Sequence, residues 1–510
     1  MNDIYMGVDV WGRGSPGGGG FGSYIAISLI SPETLGLSVA LFGQAWTWES
    51  EQDNPGWTWE KWWAYESKLW VGPISGAVRV LEAPQEEPKS LDESYRPIAS
   101  FFPRHPPPEP SQLSFHTTFC PGSGTAWFVE GVEVFQIESG WTDVDKQTSV
   151  GDMLWPCPKL YWNDFDRGVR GYETPKALSR FCMDDAWNGG NSIQISISCP
   201  GSEEATAALW LPIQSLHLIP ERSYEAHAIY KLEYNHGQDF ETKFELSFKS
   251  VPGSQDDFDL NIVSASSTEL TGGWTKLTIQ FNLSGDCDKD ELQLTAAIGL
   301  VIVISSENST DPLQLSFLLG QLNVRPHIPS TFTEEVPLVL WTDFTPTPAS
   351  LASLVTAPLS GTLSWKVATS FPTVEQIVIK PPDDPHPAWN PQPTIDWFPS
   401  FLYFNIYARL FTDDVKSLTD DINAQQFSDF RDVGTTDKAI WIGTSGLNGQ
   451  YYSFDVLQEN LPFNLGRGLL ENSPFMVTPG KTVRFYIQGM NNSGEVLKWQ
   501  ECGYVDVLAK

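Results

Sequence analysis

A chain of 510 residues is too long for one ordinary core and calls for several domains. Hydrophobic residues make up 41% and charged residues 18%, which excludes a disordered chain, and a formal net charge of -32 argues against nucleic acid and anionic membranes as partners. The 38 prolines and 41 glycines point to many turns and few long helices, and 21 tryptophans suit sandwich cores and stacking on sugar rings alike.

Residues 4–10 (IYMGVDV) read as a short, nearly continuous apolar strand that runs into a glycine-rich loop, Gly12 to Gly22. A helical stretch follows at 24–30, then a second apolar strand at 37–43 (LSVALFG). Trp57 to Trp70 is the most helix-like segment, and 113–119 (LSFHTTF) reads as a third strand. Strand, loop, helix, strand, loop, helix is the order of parallel β/α units, whose strands are buried on both faces and lack alternation. Residues 82–111, rich in Pro, Glu and Ser, read as an extended connection.

From about residue 125 short alternating runs take over. They are Ser192–Ser198, Ala228–Tyr234, Lys243–Phe248, Thr275–Phe281 and Leu313–Leu319, separated by turn residues. Period-two alternation marks strands with one face in a core, and so many of them predict an all-β sandwich. A second β module is expected further on, from Thr362–Ala368, Leu402–Arg409, Ala439–Ile442 and Val483–Gln488, with 328–350 as a linker or first strand.

Three β/α units cannot close a (β/α)₈ barrel, which needs eight strands and roughly 250 residues. Uncovered parallel strands would expose edges and apolar faces. Met1 stands directly against the first strand. The expected architecture is therefore an incomplete (β/α)₈ TIM-barrel remnant, about its last three β/α units, over residues 1–125. Two all-β sandwich domains are expected to follow, at 126–327 (galactose-binding or jelly-roll-like) and 328–510 (fibronectin-III-like).

Six scattered cysteines, Cys120, Cys157, Cys182, Cys199, Cys287 and Cys502, form no close pair and no zinc spacing, which fits a reducing compartment. The N-terminus has no basic n-region or apolar h-region, so no secretory leader is expected, and no run of 18 apolar residues suggests a membrane span. The sequons at Asn282, Asn308 and Asn491 then read as chance matches.

At several of these segments the chain resembles glycoside hydrolase family 85. The resemblance rests on Tyr5–Arg13 (YMGVDVWGR), the GGGGF loop at 17–21, Ser38–Glu49 (SVALFGQAWTWE) and Ser114–Gly122 (SFHTTFCPG). Further on it rests on Cys182–Ser192 (CMDDAWNGGNS), Ile229–Glu233, Gly272–Leu277 and Leu318–Val324 (LLGQLNV). It covers about 1–325. The family's members hydrolyse the bond between the two core N-acetylglucosamines of an N-glycan, by substrate-assisted retaining catalysis. One Glu serves as acid and then base, while an Asn orients the substrate's own 2-acetamido oxygen, a departure from the two-carboxylate scheme. The family carries these residues in an N-x-E pattern, which occurs nowhere in the 510 residues. No catalytic residue is therefore assigned, and the chain is expected to be inactive alone, a truncated representative of a cytosolic endo-β-N-acetylglucosaminidase. The alternative is a non-catalytic carbohydrate-binding or scaffold protein.

Substrate contacts are assigned with that resemblance. Asp9 and Trp11 follow a barrel-like strand at its C-terminal end, where such folds place active sites, with Asp9 for hydroxyls and Trp11 for a pyranose face. Trp46 is the best stacking platform, because a flat apolar ring matches a pyranose CH face. Trp48 and Glu49 are equally readable as core and solvated loop charge, and His116 is more readily a structural residue than a ligand contact. Trp57, Trp59, Trp62, Trp63 and Trp70 read as helix packing. Gly17–Gly20 lacks the pattern of a phosphate cradle and reads as a flexible loop allowing close ligand approach. Asp184, Asp185 and Trp187 read as a turn, with structural calcium or sugar as the minority reading. No metal or cofactor is expected. The expected partners are N-glycans or glycoproteins, and the expected state is a cytosolic monomer.

Overall fold

The computed structural model describes residues 4–43, 45–72, 95–102, 115–154, 158–163, 174–199, 206–233, 240–251, 257–285, 294–306, 313–327, 338–346, 359–368, 401–411, 439–446, 449–454 and 482–508. The predicted connection at 82–111 lies mostly outside these residues, as do Cys157, Cys287 and Asn308.

The first segment is a small β/α unit. It contains β1 (Tyr5–Asp9), α1 (Ser23–Ile30), α2 (Pro32–Leu35), β2 (Ser38–Phe42), α3 (Trp46–Glu49) and α4 (Trp59–Trp70). β1 and β2 pair in parallel, from Tyr5 opposite Ser38 to Asp9 opposite Phe42. Val8 and Val10 from β1 and its end meet Ala26 and Ile27 of α1, Leu69 of α4, and Ile98 and Phe101, in one small core. α4 starts where the Thr58 side chain accepts a hydrogen bond from the Lys61 backbone, replacing a partner that the first helical turn lacks. The pair stays open on its other side: Tyr5 is 70% and Phe42 63% exposed.

The middle segment is all β. In chain order it comprises β3 (Phe115–Thr117), β4 (Pro121–Val129), β5 (Val132–Gln147), β6 (Tyr161–Trp162), β7 (Lys176–Cys182), β8 (Ser192–Cys199) and β9 (Thr206–Leu218). It continues with β10 (Tyr224–Leu232), β11 (Phe240–Ser250), β12 (Asp259–Glu269), β13 (Trp274–Ser284), β14 (Leu294–Ser306) and β15 (Leu313–Pro326). One sheet runs β12-β13-β10-β15-β8-β7, with β3 also on β15, and a second runs β11-β14-β9-β6. Both sheets send alternate residues into one core. Ile193, Ile195 and Ile197 of β8, Ala226 and Ala228 of β10 and Phe317 of β15 face Leu209 and Leu211 of β9, Phe244, Leu246 and Phe248 of β11, and Leu300 and Ile302 of β14. Each large aliphatic or aromatic side chain so buried contributes about 1.5–3 kcal/mol. The alternation seen in the sequence is this inward set.

The third predicted strand departs from expectation. β3 does not extend the parallel pair; it lies antiparallel on β15, with His116 opposite Asn323. Three strand residues carry no pattern that distinguishes a parallel neighbour from an antiparallel one, so the sequence left the partner open.

The last segment holds β16 (Leu338–Pro346), β17 (Gly361–Ala368), β18 (Phe401–Phe411), β19 (Ile440–Thr444), β20 (Tyr451–Phe454), β21 (Thr482–Asn491) and β22 (Gly503–Leu508). Its sheets are β16-β17-β20 and β19-β18-β21-β22. Leu363 and Trp365 meet Phe404, Ile406, Val483, Phe485 and Ile487 between them. The β4–β5 hairpin lies against the other face of the second sheet. Trp127 stacks on Trp441 with centroids 5.9 Å apart, and both indoles donate to Asn405 Oδ1, at 3.3 and 3.2 Å. Lys146, almost fully buried, donates to the Ser445 carbonyl at 2.6 Å. The hairpin thus packs with residues three hundred positions downstream as well as with Ala186 and Gly189 of the middle segment.

Candidate functional site

Parallel pairing puts the loops after β1 and β2 on one edge. Asp9 ends β1 opposite Phe42, and the Val10 backbone still donates to the Phe42 carbonyl at 2.9 Å. The Asp9 carboxylate is then engaged locally. It accepts from Arg13 Nε at 2.8 Å and from the Trp11 backbone at 3.0 Å. The Arg13 hydrogen bond holds the carboxyl below its ordinary value against an opposing desolvation effect, so Asp9 is a fixed anion. Arg13 also reaches the Phe42 ring, 5.4 Å from its centroid. Trp11 is 38% exposed and lies over Gly43, where a Cβ would come within 2.7 Å of its Cδ1. A cation, an anion and an exposed indole face therefore share this edge, a combination able to meet sugar hydroxyls and a pyranose face together.

Trp46 sits deeper. A Cβ on Gly20 would stand 2.6 Å from its Cζ2, so the glycine leaves room for the indole. Phe21 meets Trp46 edge-on at 5.4 Å, and Tyr65 of α4 lies tilted against it at 5.3 Å. The expected platform is half-buried among its own neighbours. The glycine run likewise serves the chain's own packing: Gly12 and Gly19 approach so closely that a Cβ on either would collide with the other's loop backbone. This differs from the expectation of a loop kept flexible for ligand approach.

Trp48 packs edge-on to Trp62 at 6.0 Å, and Glu49 is exposed. His116 is not at this edge. It is half-buried on β3 in the middle sheet, where desolvation lowers its imidazole to about 4. Of the six expected contacts, Asp9, Trp11, Trp46, Trp48 and Glu49 share the β/α unit, and His116 stands apart from them. Trp62 packs within the unit as expected, Trp63 meets Phe181 of β7 at 4.2 Å, and the Trp59 side chain lies outside the described residues.

The sequence reading missed Arg13, Tyr65 and Glu66. Arg13 stands four residues after Asp9, a spacing that could have suggested the pair. Glu66 is half-buried, accepts from Trp70 Nε1 at 2.6 Å and from the Thr47 hydroxyl, and ties α3 to α4. Burial raises its carboxyl above the ordinary range, with both hydrogen bonds opposing. Elsewhere Asp185 pairs with Lys231 of β10 at 2.6 Å and Trp187 packs near Trp274 of β13. Among the described residues no group of three or more His, Cys, Asp or Glu could hold a metal, and Cys120, Cys182, Cys199 and Cys502 are free thiols. No helix among them is long and apolar enough to cross a membrane.

Comparison with known proteins gives a likeness over the β/α unit. Residues 1–127 match the family described as Glycosyl hydrolase family 85, and over that stretch the chain resembles this family. The chain is 29% identical over 217 residues to the cytosolic endo-beta-N-acetylglucosaminidase of Gallus gallus, a match covering 42% of this chain and 22% of that protein. It is 39% identical over 69 residues to cytosolic endo-beta-N-acetylglucosaminidase 1 of Arabidopsis thaliana, covering 13% of this chain and 10% of that protein. The chain thus spans about a fifth or less of the length of these relatives. Among solved structures it is similar to the glycoside hydrolase domain of Endo-D from Streptococcus pneumoniae R6, with a TM-score of 0.44 and 14% identity over 92% of this chain and 53% of that one.

Proposed function

We propose that the edge formed by Asp9, Trp11 and Arg13 contacts N-glycans as part of an endo-β-N-acetylglucosaminidase of family 85. The observation that carries this is the parallel pairing of β1 with β2, which sets an exposed indole beside a fixed carboxylate at the C-terminal ends of both strands. On this reading the β/α unit is part of a (β/α)₈ barrel that ends before β3, and the uncovered Tyr5 and Phe42 are surfaces that further barrel strands would bury. The two-sheet segment at 126–327 and the one at 328–510 are the galactose-binding-like and fibronectin-III-like sandwiches. The family's reaction is substrate-assisted and retaining. The relatives' names support a cytosolic protein.

Because N-x-E is absent from the 510 residues, this chain binds glycan without cutting it. That absence also favours the second reading, a carbohydrate-binding or scaffold protein. Calorimetric titration with a high-mannose glycan separates the outcomes. Binding weakened tenfold or more by Trp11→Ala, about 1.4 kcal/mol, supports the site. Undiminished binding by Trp11→Ala removes the site from this edge, and release of glycan from a glycopeptide overturns the inactive reading.

A further inference from the structure

The outer face of the middle sheet carries a row of polar residues where β3, β15 and β10 run side by side. His116 is opposite Asn323 and Asn323 opposite His227, with Gln321 two positions away on the same strand. Leu322 and Val324, between and beyond them, point into the core. Such a row would ordinarily face water. Here His227, Gln321, Asn323 and the nearby Asn188 are all but fully buried, because a tight turn between β21 and β22 covers them.

The turn is built first by its own residues. Asn491 Oδ1 accepts from the Ser493 backbone at 3.0 Å, the Ser493 hydroxyl at 2.7 Å and the Glu495 backbone at 2.9 Å. Gly494 has φ 77°, and a Cβ there would meet Gln321 Nε2 at 2.3 Å and His116 Cε1 at 2.5 Å. The middle segment then grips three successive residues of the turn. Asn323 Nδ2 donates to the Asn492 carbonyl at 3.0 Å, His227 hydrogen-bonds the Ser493 backbone, and Asn188 Nδ2 lies 3.5 Å from the Gly494 carbonyl.

The direction of this network is fixed from one end. The Glu130 backbone N–H, which can only donate, bonds Asn188 Oδ1 at 2.9 Å. Asn188 Nδ2 therefore faces Gln321 Oε1, at 3.3 Å. Gln321 Nε2 is left to donate to His227 Nε2 at 3.0 Å, so that nitrogen must be the acceptor of a neutral imidazole. A proton added there would set N–H against N–H, and turning the Gln321 amide would only move the conflict to Asn188.

We propose that the turn at 491–495 is an acid-released latch between the middle and C-terminal segments, held while His227 and His116 are neutral and let go when they take up protons. The surroundings favour that neutrality. Desolvation lowers both imidazoles, His116 to about 4 and His227 well below its ordinary value, with Lys276, Arg325 and His116 adding to the effect on His227. The charges facing the site come from every element packed there: Lys276 on β13 paired with Glu495 of the turn at 2.8 Å, Arg325 on β15 paired with Glu225 on β10 at 2.7 Å, and Glu130 at the β4–β5 turn, its carboxyl pushed up by burial and by Glu495. A histidine lowered in the folded state stabilises fully above its unfolded value of 6.5, and that contribution is lost as pH falls towards the folded value. The latch therefore weakens between about pH 6.5 and 4.

Hydrogen–deuterium exchange on the full chain, from pH 7.5 to 4, tests this. The expected result, after correction for intrinsic rates, is at least a tenfold loss of protection at 482–496 while β8 and β14 stay protected. His227→Gln, which can accept from Gln321 and donate to Ser493 without charging, is expected to shift the midpoint down by half a pH unit or more. Loss of protection at 482–496 and in β8 and β14 with one midpoint overturns the latch, as does unchanged protection of the turn. Should His227→Gln not fold, imidazole C2 deuteration in the unaltered chain decides: a His227 titration midpoint at or above 6 overturns the proposal.

Discussion

The β/α unit and the middle segment bury their strands in opposite ways. β1 and β2 share one small core with α1 and α4 and leave Tyr5 and Phe42 in water. In the middle segment two sheets close on each other, and large side chains such as Tyr224, Phe281 and Phe317 lose all contact with solvent. An element with few apolar contacts opens at low cost, whereas a closed core unfolds as a unit. The comparison teaches that the candidate sugar-contacting edge stands on the less supported part of the molecule, and that the middle segment is the rigid frame.

The largest effect should come from the closed region. Phe281 stacks on Tyr224 at 5.7 Å and on Phe248 at 4.2 Å, inside the core that both sheets enclose. Phe281→Ala is expected to destabilise the middle segment by about 3–5 kcal/mol, read from the urea midpoint. A loss under about 1 kcal/mol would show that this core is as open as the β/α unit.

A smaller effect is expected at Glu66. Glu66→Ala strands the Thr47 hydroxyl and the Trp70 indole and should cost the β/α unit about 1–3 kcal/mol, seen as faster exchange in α3 and α4 alone. The pH dependence follows from its raised carboxyl. The folded state holds a proton that the unfolded chain has released, so this contribution is present below 4.5 and lost as pH rises through the folded value. Glu66→Gln should flatten that slope, and an unchanged slope would assign it to another group.

How much was legible in the sequence follows the same division. Runs such as Ser192–Ser198 and Thr275–Phe281 were readable because one face is buried and one is not. β12 was not, since nearly all of Asp259–Glu269 is exposed and shows no apolar face. At the candidate edge, Asp9 and Trp11 were legible from their place after an apolar strand. Trp46 was legible as an aromatic after a strand, but not its enclosure by Phe21 and Tyr65, which come from other elements. The latch was illegible for a similar reason: Asn188, His227, Gln321 and Gly494 meet only after the middle and last segments have both folded.

The smallest stability effect is expected at the exposed edge. Trp11→Ala should change stability by no more than about 0.5 kcal/mol by urea unfolding. A loss of 2 kcal/mol or more would mean that Trp11 is a packing residue, and the edge would lose its exposed platform.

The pairing of β3 with β15 has a consequence for how the chain is made. His116 waits for Asn323, about two hundred residues later, and no nearer strand can take its place in that register. During synthesis the first strand of the sheet stays unpaired until its last one has left the ribosome, and β8, paired with β7 on one side, keeps its other edge open for the same β15. Translation speed through residues 200–313 therefore sets how long those two edges are open to the wrong neighbours.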